Sequence, residues 1–242
     1  MTEFFAGIKS DFITCFLTKN RWQFITEGLK ATLIITLLSC VMGIAIGIVV
    51  AIVRSTYDKN AKNMRNGIGK ALLAFFNALC KVYLTVIRGT PVLVQLMIMY
   101  YIIFAASDNG LLIAIMAFGI NSGAYVAEIF RSGIMSIDEG QFEAGRSLGF
   151  SYIKTMRYII IPQAFKSVLP TLANEFIVLL KETSVAGYVA IQDLTKGGDI
   201  IRSATYKTYV PLFTVALIYL VMVIFFTNLV SRLERRLRSS ER

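Results

Sequence analysis

Long apolar stretches separated by short polar islands set the organisation of this chain. Crossing a hydrocarbon core takes roughly 20 predominantly apolar residues in a helix. On that measure a first span runs from about Leu29 to Val53 and ends at Arg54. The apolar region at about 68–105 is too long for one straight crossing and contains Lys81, Arg88 and Gly89-Thr90-Pro91. It divides into an amphipathic approach helix to about Ile87 and a span from about Pro91 to Ala105, with the proline at a helix start or a kink. After a turn at Ser107-Asp108-Asn109-Gly110, a third span covers Leu111 to Phe130, a fourth about Ala164 to Ala186, and a last one Val210 to Val230. The expected fold class is an all-α polytopic membrane protein with five transmembrane helices.

Within these spans the small and charged residues are not scattered. Ser39, Gly43, Gly47 and Ala51 repeat every four residues, as do Gly119, Gly123 and Ala127. Each set gives a smooth face that another helix can approach closely. Glu128 has Arg131 within one turn and reads as an ion-pairing anchor, while Arg88 is placed to snorkel at the cytoplasmic interface. The fourth span is unusually polar, with Pro170, Asn174, Glu175, Lys181, Glu182, Thr183 and Ser184. Counting at about 1.5 Å per residue from Pro162 sets Glu175 near mid-membrane and Glu182 nearer the outer face. A carboxylate at mid-depth costs roughly 2.5–3.5 kcal/mol, so it should face protein or water. Asn174, Glu175 and Glu182 are therefore substrate-pathway candidates. A bond to a neighbouring helix explains them equally, and Lys181 and the outer interface offer Glu182 further partners.

The polar islands assign the sides. Arg54 to Lys70 carries Lys59, Lys62, Arg65 and Lys70 against Asp58, and Arg232-Leu-Glu-Arg-Arg-Leu-Arg forms a basic tail. Both belong in the cytoplasm, which puts the N-terminus outside and the C-terminus inside. Charges from Glu3 to Glu27 break any run long enough for a cleavable signal core. Phe4, Phe5, Ile8, Phe12 and Phe16 recur at helical spacing and suit either an interfacial amphipathic helix or a loosely ordered tail. The expected organisation is an outer tail at 1–27, a transmembrane domain at 28–233 containing a loop at 132–163, and a cytoplasmic basic tail at 234–242. Residues 192–209 form an outer loop long enough for a short surface helix.

The longest island, Asp138 to Pro162, has its own helix signals. Ser136 and Glu139 have capping-box spacing, Asp138 and Glu139 suit a helix N-terminus, Arg146 falls in the last turn, and Gly149 can close it. These predict a helix at about 137–148 and a second at about 151–161 stopped by Pro162.

Composition narrows the chemistry. Hydrophobic residues make up 56% of the chain, and its 25 Lys and Arg against 15 Asp and Glu gather at span ends and loops. That is membrane orientation rather than nucleic-acid binding. Cys15, Cys40 and Cys80 lack paired or metal-ligand spacing and read as small apolar residues. Histidine is absent, which excludes a His-based triad, proton relay or zinc site. Gly67-Ile-Gly-Lys70 lacks the spacing and hydroxyl of a phosphate-cradling loop, so any ATP used is bound by another subunit.

Glu143-Ala144-Gly145, then Gly149, Ile159 and Pro162, resemble the Glu-Ala-Ala loop of permease subunits from ABC importers. Gly145 stands where that motif has a second Ala, which loosens the helix by about 1 kcal/mol, and Ile161 stands for Leu. Three further stretches look like the polar amino acid branch of that family: Arg88-Gly-Thr-Pro-Val-Leu-Val-Gln95, Gly123-Ala-Tyr-Val-Ala-Glu-Ile-Phe-Arg131 and Asn174-Glu-Phe-Ile-Val-Leu-Leu-Lys-Glu-Thr-Ser184. The resemblance covers roughly residues 25–235.

It implies a type I ABC importer permease in a bacterial-type cell membrane, paired with a second copy or close paralogue. Two cytoplasmic ATPase subunits would dock on the loop between the third and fourth spans and bind ATP and Mg, with no cofactor on this chain. The coupling residues it implies are Phe142, Glu143, Ala144, Gly145, Gly149 and Pro162. Phe142 would be an apolar anchor in the ATPase groove and Glu143 a partner for a basic group there, with Ala144 and Gly145 permitting close seating. An extracytoplasmic solute-binding protein would deliver an amino acid to the 107–110 and 190–209 surfaces. Cationic and neutral polar amino acids both remain open as substrates. Two other readings are a secondary carrier or channel using Glu175 as its ion or proton site, and a membrane scaffold docking a partner through 137–161.

Overall fold

A computed structural model describes residue 7, residues 9–61, residue 64 and residues 67–239. Phe4, Phe5, Ile8, Lys62, Arg65 and the last three residues of the tail lie outside the described residues. Those described form helices and turns without a strand. Helix α1 is Trp22–Asn60, α2 Ile68–Gly89 and α3 Val92–Ile98, continued by a π turn at Met99–Ile103; α4 is Gly110–Met135. The loop helices are α5 at Glu139–Ser147 and α6 at Tyr152–Thr155. After a π turn at Met156–Ile160 come α7 at Ile161–Glu182, α8 at Leu194–Thr205 and α9 at Tyr209–Ser239.

Four of these helices, α1, α2, α4 and α9, are long and apolar enough to cross a membrane by length and composition. Three contain the spans predicted at Leu29–Val53, Leu111–Phe130 and Val210–Val230. The 68–105 region breaks where expected, with Thr90 extended as the residue before a proline prefers. Of its two pieces, however, α2 has the length of a crossing, whereas Val92–Ile103 rises only about 18 Å. Helix α7 has 22 residues, about 33 Å, but its polar residues keep it out of the apolar set.

The chain forms two compact units, one of Met1–Ser39, Val92–Phe118 and Ile177–Leu229, the other of Cys40–Pro91, Gly119–Phe176 and Val230–Arg242. The first is centred on α8. Asp193 caps it, accepting from the backbone N–H groups of Thr195 at 3.1 Å and Lys196 at 2.9 Å, and the Leu194 N–H donates to Thr32 Oγ1 at 3.0 Å. Gly197 lies against the Phe24 carbonyl and Gly198 against Val215, so the glycine pair gives α8 two close approaches. The short helix expected in the 192–209 loop is present as α8, with Leu194 and Ile201 fully buried on one face and the Asp199 and Arg202 side chains 38% and 42% exposed. Cys15 and Phe16 belong to the same core cluster.

In the second unit the two small-residue faces meet. A side chain at Gly43 would strike Ser122, and one at Gly123 would strike Ile46 and Tyr83. Helix α2 closes this packing with Leu84 among Val50, Ala124 and Ala127, and the Tyr83 hydroxyl donates to the Ile120 carbonyl at 2.6 Å.

Two local expectations are corrected in the loop. The N-cap of α5 is Asp138, whose side chain accepts from the Gly140 N–H at 2.7 Å; Ser136 Oγ instead donates to the Gly133 carbonyl. Pro162 does not stop a helix, because it is the second residue of α7. The π turn ahead of it widens the hydrogen-bond ring, with the Ile161 N–H reaching the Met156 carbonyl, and Gln163 Nε2 donates to the Ile159 carbonyl at 2.9 Å. A widened turn and a side-chain donor accommodate a proline that supplies no N–H.

Candidate functional site

Nine residues of α5 present two chemically different faces. Phe142 and Gly145 point inward, three apart and hence on one side of the helix. Phe142 is 7% exposed and packs with Ile134, Ile160 and Ala164. A side chain at Gly145 would strike Thr155, which lies at the end of α6. Glu143, Ala144, Arg146, Ser147 and Leu148 are exposed on the other side. Gly149 has φ +75, the left-handed conformation in which a Cβ is strained. It turns the chain so that the Phe150 N–H reaches back to the Gly145 carbonyl at 3.0 Å. Ser151 then accepts from the Lys154 N–H and opens α6.

Phe142 and Gly145 are buried against their own chain, whereas Glu143 and Ala144 are exposed. A single aromatic in a nine-residue helix carries no periodicity that distinguishes its own core from a partner's groove.

The dock itself extends beyond the loop. Helix α1 continues past its predicted end at Val53 and brings Lys59 Nζ to 3.0 Å from Glu139 Oε1 and 4.6 Å from the centre of the Phe142 ring. Lys59, Glu139, Phe142, Glu143, Arg146 and Tyr152 line a cavity of about 190 Å³. Next to Lys59, Asp58 Oδ2 lies 3.6 Å from Arg131, which binds Glu128 at 2.5 Å; Glu128 in turn lies 3.7 Å from Arg88. Four charges of alternating sign thus run from α1 through α4 to the last turn of α2, beside the break at Gly89–Pro91. Glu128 is an ion-pairing anchor, as its spacing suggested, with two arginines rather than one. Lys59, Asp58 and Thr155 carry no local sequence signal for these contacts.

The substrate-pathway candidates separate. Glu175 Oε1 accepts from Ser122 Oγ at 3.2 Å in the second unit, and Asn174 is exposed. Glu182 is half-buried and belongs to the first unit.

Residues 67–239 match the model of the binding-protein-dependent transport system inner membrane component, and the chain belongs to that family. It is 35% identical over 222 residues to the arginine transport system permease protein ArtQ of Bacillus subtilis (strain 168), covering 90% of this chain and 94% of that one. To the glutamine transport system permease protein GlnP of Escherichia coli (strain K12) it is 34% identical over 216 residues, covering 88% and 92%. A chain of an amino acid ABC transporter solved with histidines superposes with a TM-score of 0.78 at 39% identity, covering 91% of this chain and 98% of that one. The inward-facing MetNI methionine ABC transporter, at 19% identity and a TM-score of 0.73 over 89% and 96% of the two chains, shares the fold.

Proposed function

We propose that this chain is the membrane permease subunit of an ATP-driven importer of polar amino acids, and that α5 is the helix through which partner ATPase subunits move it. The observation that carries this reading is the division of α5 into an inward face, clamped by Phe142, Gly145 and Lys59, and an exposed face of Glu143, Ala144, Arg146 and Ser147. A helix held rigidly on one side transmits a push applied to the other. Closure of the ATPases would displace α5 and, through Lys59 and Asp58, the end of α1, while the Arg131–Glu128–Arg88 charges carry the motion to the break before Pro91. Alternating access then follows from ATPase contacts that differ in free energy between states.

In this reading two ATPase subunits carry ATP and Mg, and a second permease copy or close paralogue completes the membrane part. An extracytoplasmic solute-binding protein supplies the amino acid. The N-terminus is outside and the C-terminus cytoplasmic, supported by the basic loop after α1 and the basic end of α9. Five crossings are retained by taking α2 and α3 as one bent crossing and α7 as another. Asn174 and Glu175 are the pathway candidates of the second unit, Glu175 being positioned by Ser122, and Glu182 is the candidate of the first.

Proteoliposomes test the reading. Amino acid uptake should require the ATPase, the binding protein and ATP together, and this chain alone should hydrolyse no ATP. A carrier using Glu175 as an ion or proton site is the second reading, favoured by the hydroxyl–carboxylate bond inside the helices. Uptake by the chain alone under an ion gradient would select it.

A further inference from the structure

A second cavity, of about 610 Å³, lies between α1, α2 and α4, with Arg54, Lys81, Thr85, Arg88, Tyr125 and Glu128 among its lining residues. Its charge is unbalanced. Three cationic side chains face one carboxylate, and that carboxylate is shared between Arg88 at 3.7 Å and Arg131 at 2.5 Å. Arg54 donates to Asn77 Oδ1 at 3.2 Å through Nη1, but its Nε is buried without an acceptor among the described residues. A buried guanidinium N–H is a strong donor that costs free energy when unmade. Arg88 lies over the Tyr125 ring at 5.7 Å, which orients it at the cavity wall.

The surroundings of this cavity are apolar in a particular way. Lys81, Thr85 and Arg88 form a polar edge along α2. On one side of that edge is the face buried against α1 and α4, with Asn77 and Leu84. On the other side, Leu72, Phe75, Phe76, Leu79, Val82 and Val86 are all exposed. An anion in the cavity would therefore sit at the border between donors and an open hydrocarbon-like stripe, which matches an amphiphile better than a free ion. The cavity is also at the end of α1 and α4 that leads into the polar loops, where a membrane surface would lie.

We propose that this cleft binds the phosphate of an anionic phospholipid, with Arg54, Lys81 and Arg88 as donors and the acyl chains along the exposed stripe of α2. Basic pockets between membrane helices recognise such headgroups by charge and donor geometry. The orientation adopted above makes the lipid an inner-leaflet one; binding itself does not depend on orientation, so failure of the test below leaves the transport reading intact. Occupancy would neutralise Arg88 beside the 89–91 break and so stiffen the junction of α2 and α3.

Native mass spectrometry of the full chain in detergent, titrated with phosphatidylglycerol, phosphatidylcholine or inorganic phosphate, tests the proposal. Phosphatidylglycerol should bind about tenfold more tightly than phosphatidylcholine, weaken as salt is raised, and resist displacement by an equal concentration of inorganic phosphate. Lys81→Gln, at an exposed position that leaves the packing intact, should weaken phosphatidylglycerol binding about fivefold, and Lys81→Gln with Arg54→Gln should weaken it further. Phosphatidylcholine binding and the melting temperature of Lys81→Gln should stay as in the parent. Equal binding of the two lipids, unchanged binding in Lys81→Gln, or full displacement by inorganic phosphate would overturn the proposal. So would a dimer in the same spectra that takes up no lipid while the monomer does, since the cleft would then belong to an interface between chains.

Discussion

The ammonium of Lys59 sits 4.6 Å from the centre of the Phe142 ring, joining the end of α1 to the helix that the loop presents. A cation over an aromatic face is attracted by the ring quadrupole, by up to about 2 kcal/mol where water is excluded. The ring is buried on its other side by Ile134, Ile160 and Ala164, so one aromatic residue fixes α5 to three separate stretches of the chain.

Phe142→Ala should therefore undock α5. Removing a buried aromatic costs about 3–5 kcal/mol, enough to expose the helix to rapid exchange. Hydrogen–deuterium exchange should show residues 139–147 losing protection while the centre of α4 keeps its own. Glu139→Gln should have little effect, about 1 kcal/mol at most, because the Glu139 side chain is 83% exposed.

Gly145 should be tied to Thr155. A Cβ at 145 would meet Thr155 Cγ2 at 2.6 Å and Oγ1 at 2.7 Å, which explains why this chain departs from the Glu-Ala-Ala pattern there. Gly145→Ala alone should lower the melting temperature. Adding Thr155→Ala removes both clashing atoms and should restore it, so the two substitutions will be non-additive in a double-mutant cycle.

Gly47→Val should block assembly of the second unit. The Gly47 position is already closed by Val126 and by the backbone nitrogen of Ala127, which a Cβ would meet at 2.9 Å. Backbone cannot yield as a side-chain tip can. Size-exclusion profiles of the extracted variant should show aggregate in place of the parent peak.

Asp193 gives a pH signature. Burial pushes its carboxyl above the ordinary aspartate value, outweighing the N–H bonds from Lys196 and Thr195 that lower it. A carboxyl whose folded pKa is raised adds stability that is complete below the unfolded value, about 3.9, and is lost as pH rises through the folded one. Asp193→Asn cannot ionise and keeps a cap acceptor, so its melting temperature relative to the parent should rise from about pH 4 to about pH 7. Asp193→Ala, which loses the cap, should be less stable by about 1 kcal/mol near pH 4, with that deficit narrowing toward pH 7 as the parent's carboxyl ionises.

Much of this was legible in the sequence where a repeat or a local pair carried it. The four-residue stripes ending at Ala51 and Ala127 announced their packing, Arg131 lay within a turn of Glu128, and Gly89-Thr90-Pro91 marked the break. What escaped depended on partners distant in the chain. Lys59 and Glu139 stand 80 positions apart in the chain, and a pair so distant leaves no local trace. Gly197-Gly198 reads as loop until Phe24 and Val215 are seen against it. Pro162 reads as a stop because a π turn has no sequence signature strong enough to foretell it. The inward turn of Phe142 was decided by tertiary packing alone.

The most direct test of the transport account is ATP-driven amino acid uptake by proteoliposomes holding the permease, its ATPase and its binding protein, compared between the parent and Glu143→Lys. Glu143 is exposed and takes no part in the dock of Phe142 and Gly145, so the variant should fold with parental hydrogen-exchange protection in α5 and yet lose nearly all uptake. Full uptake by Glu143→Lys, with α5 still docked, would contradict a coupling role for this helix face.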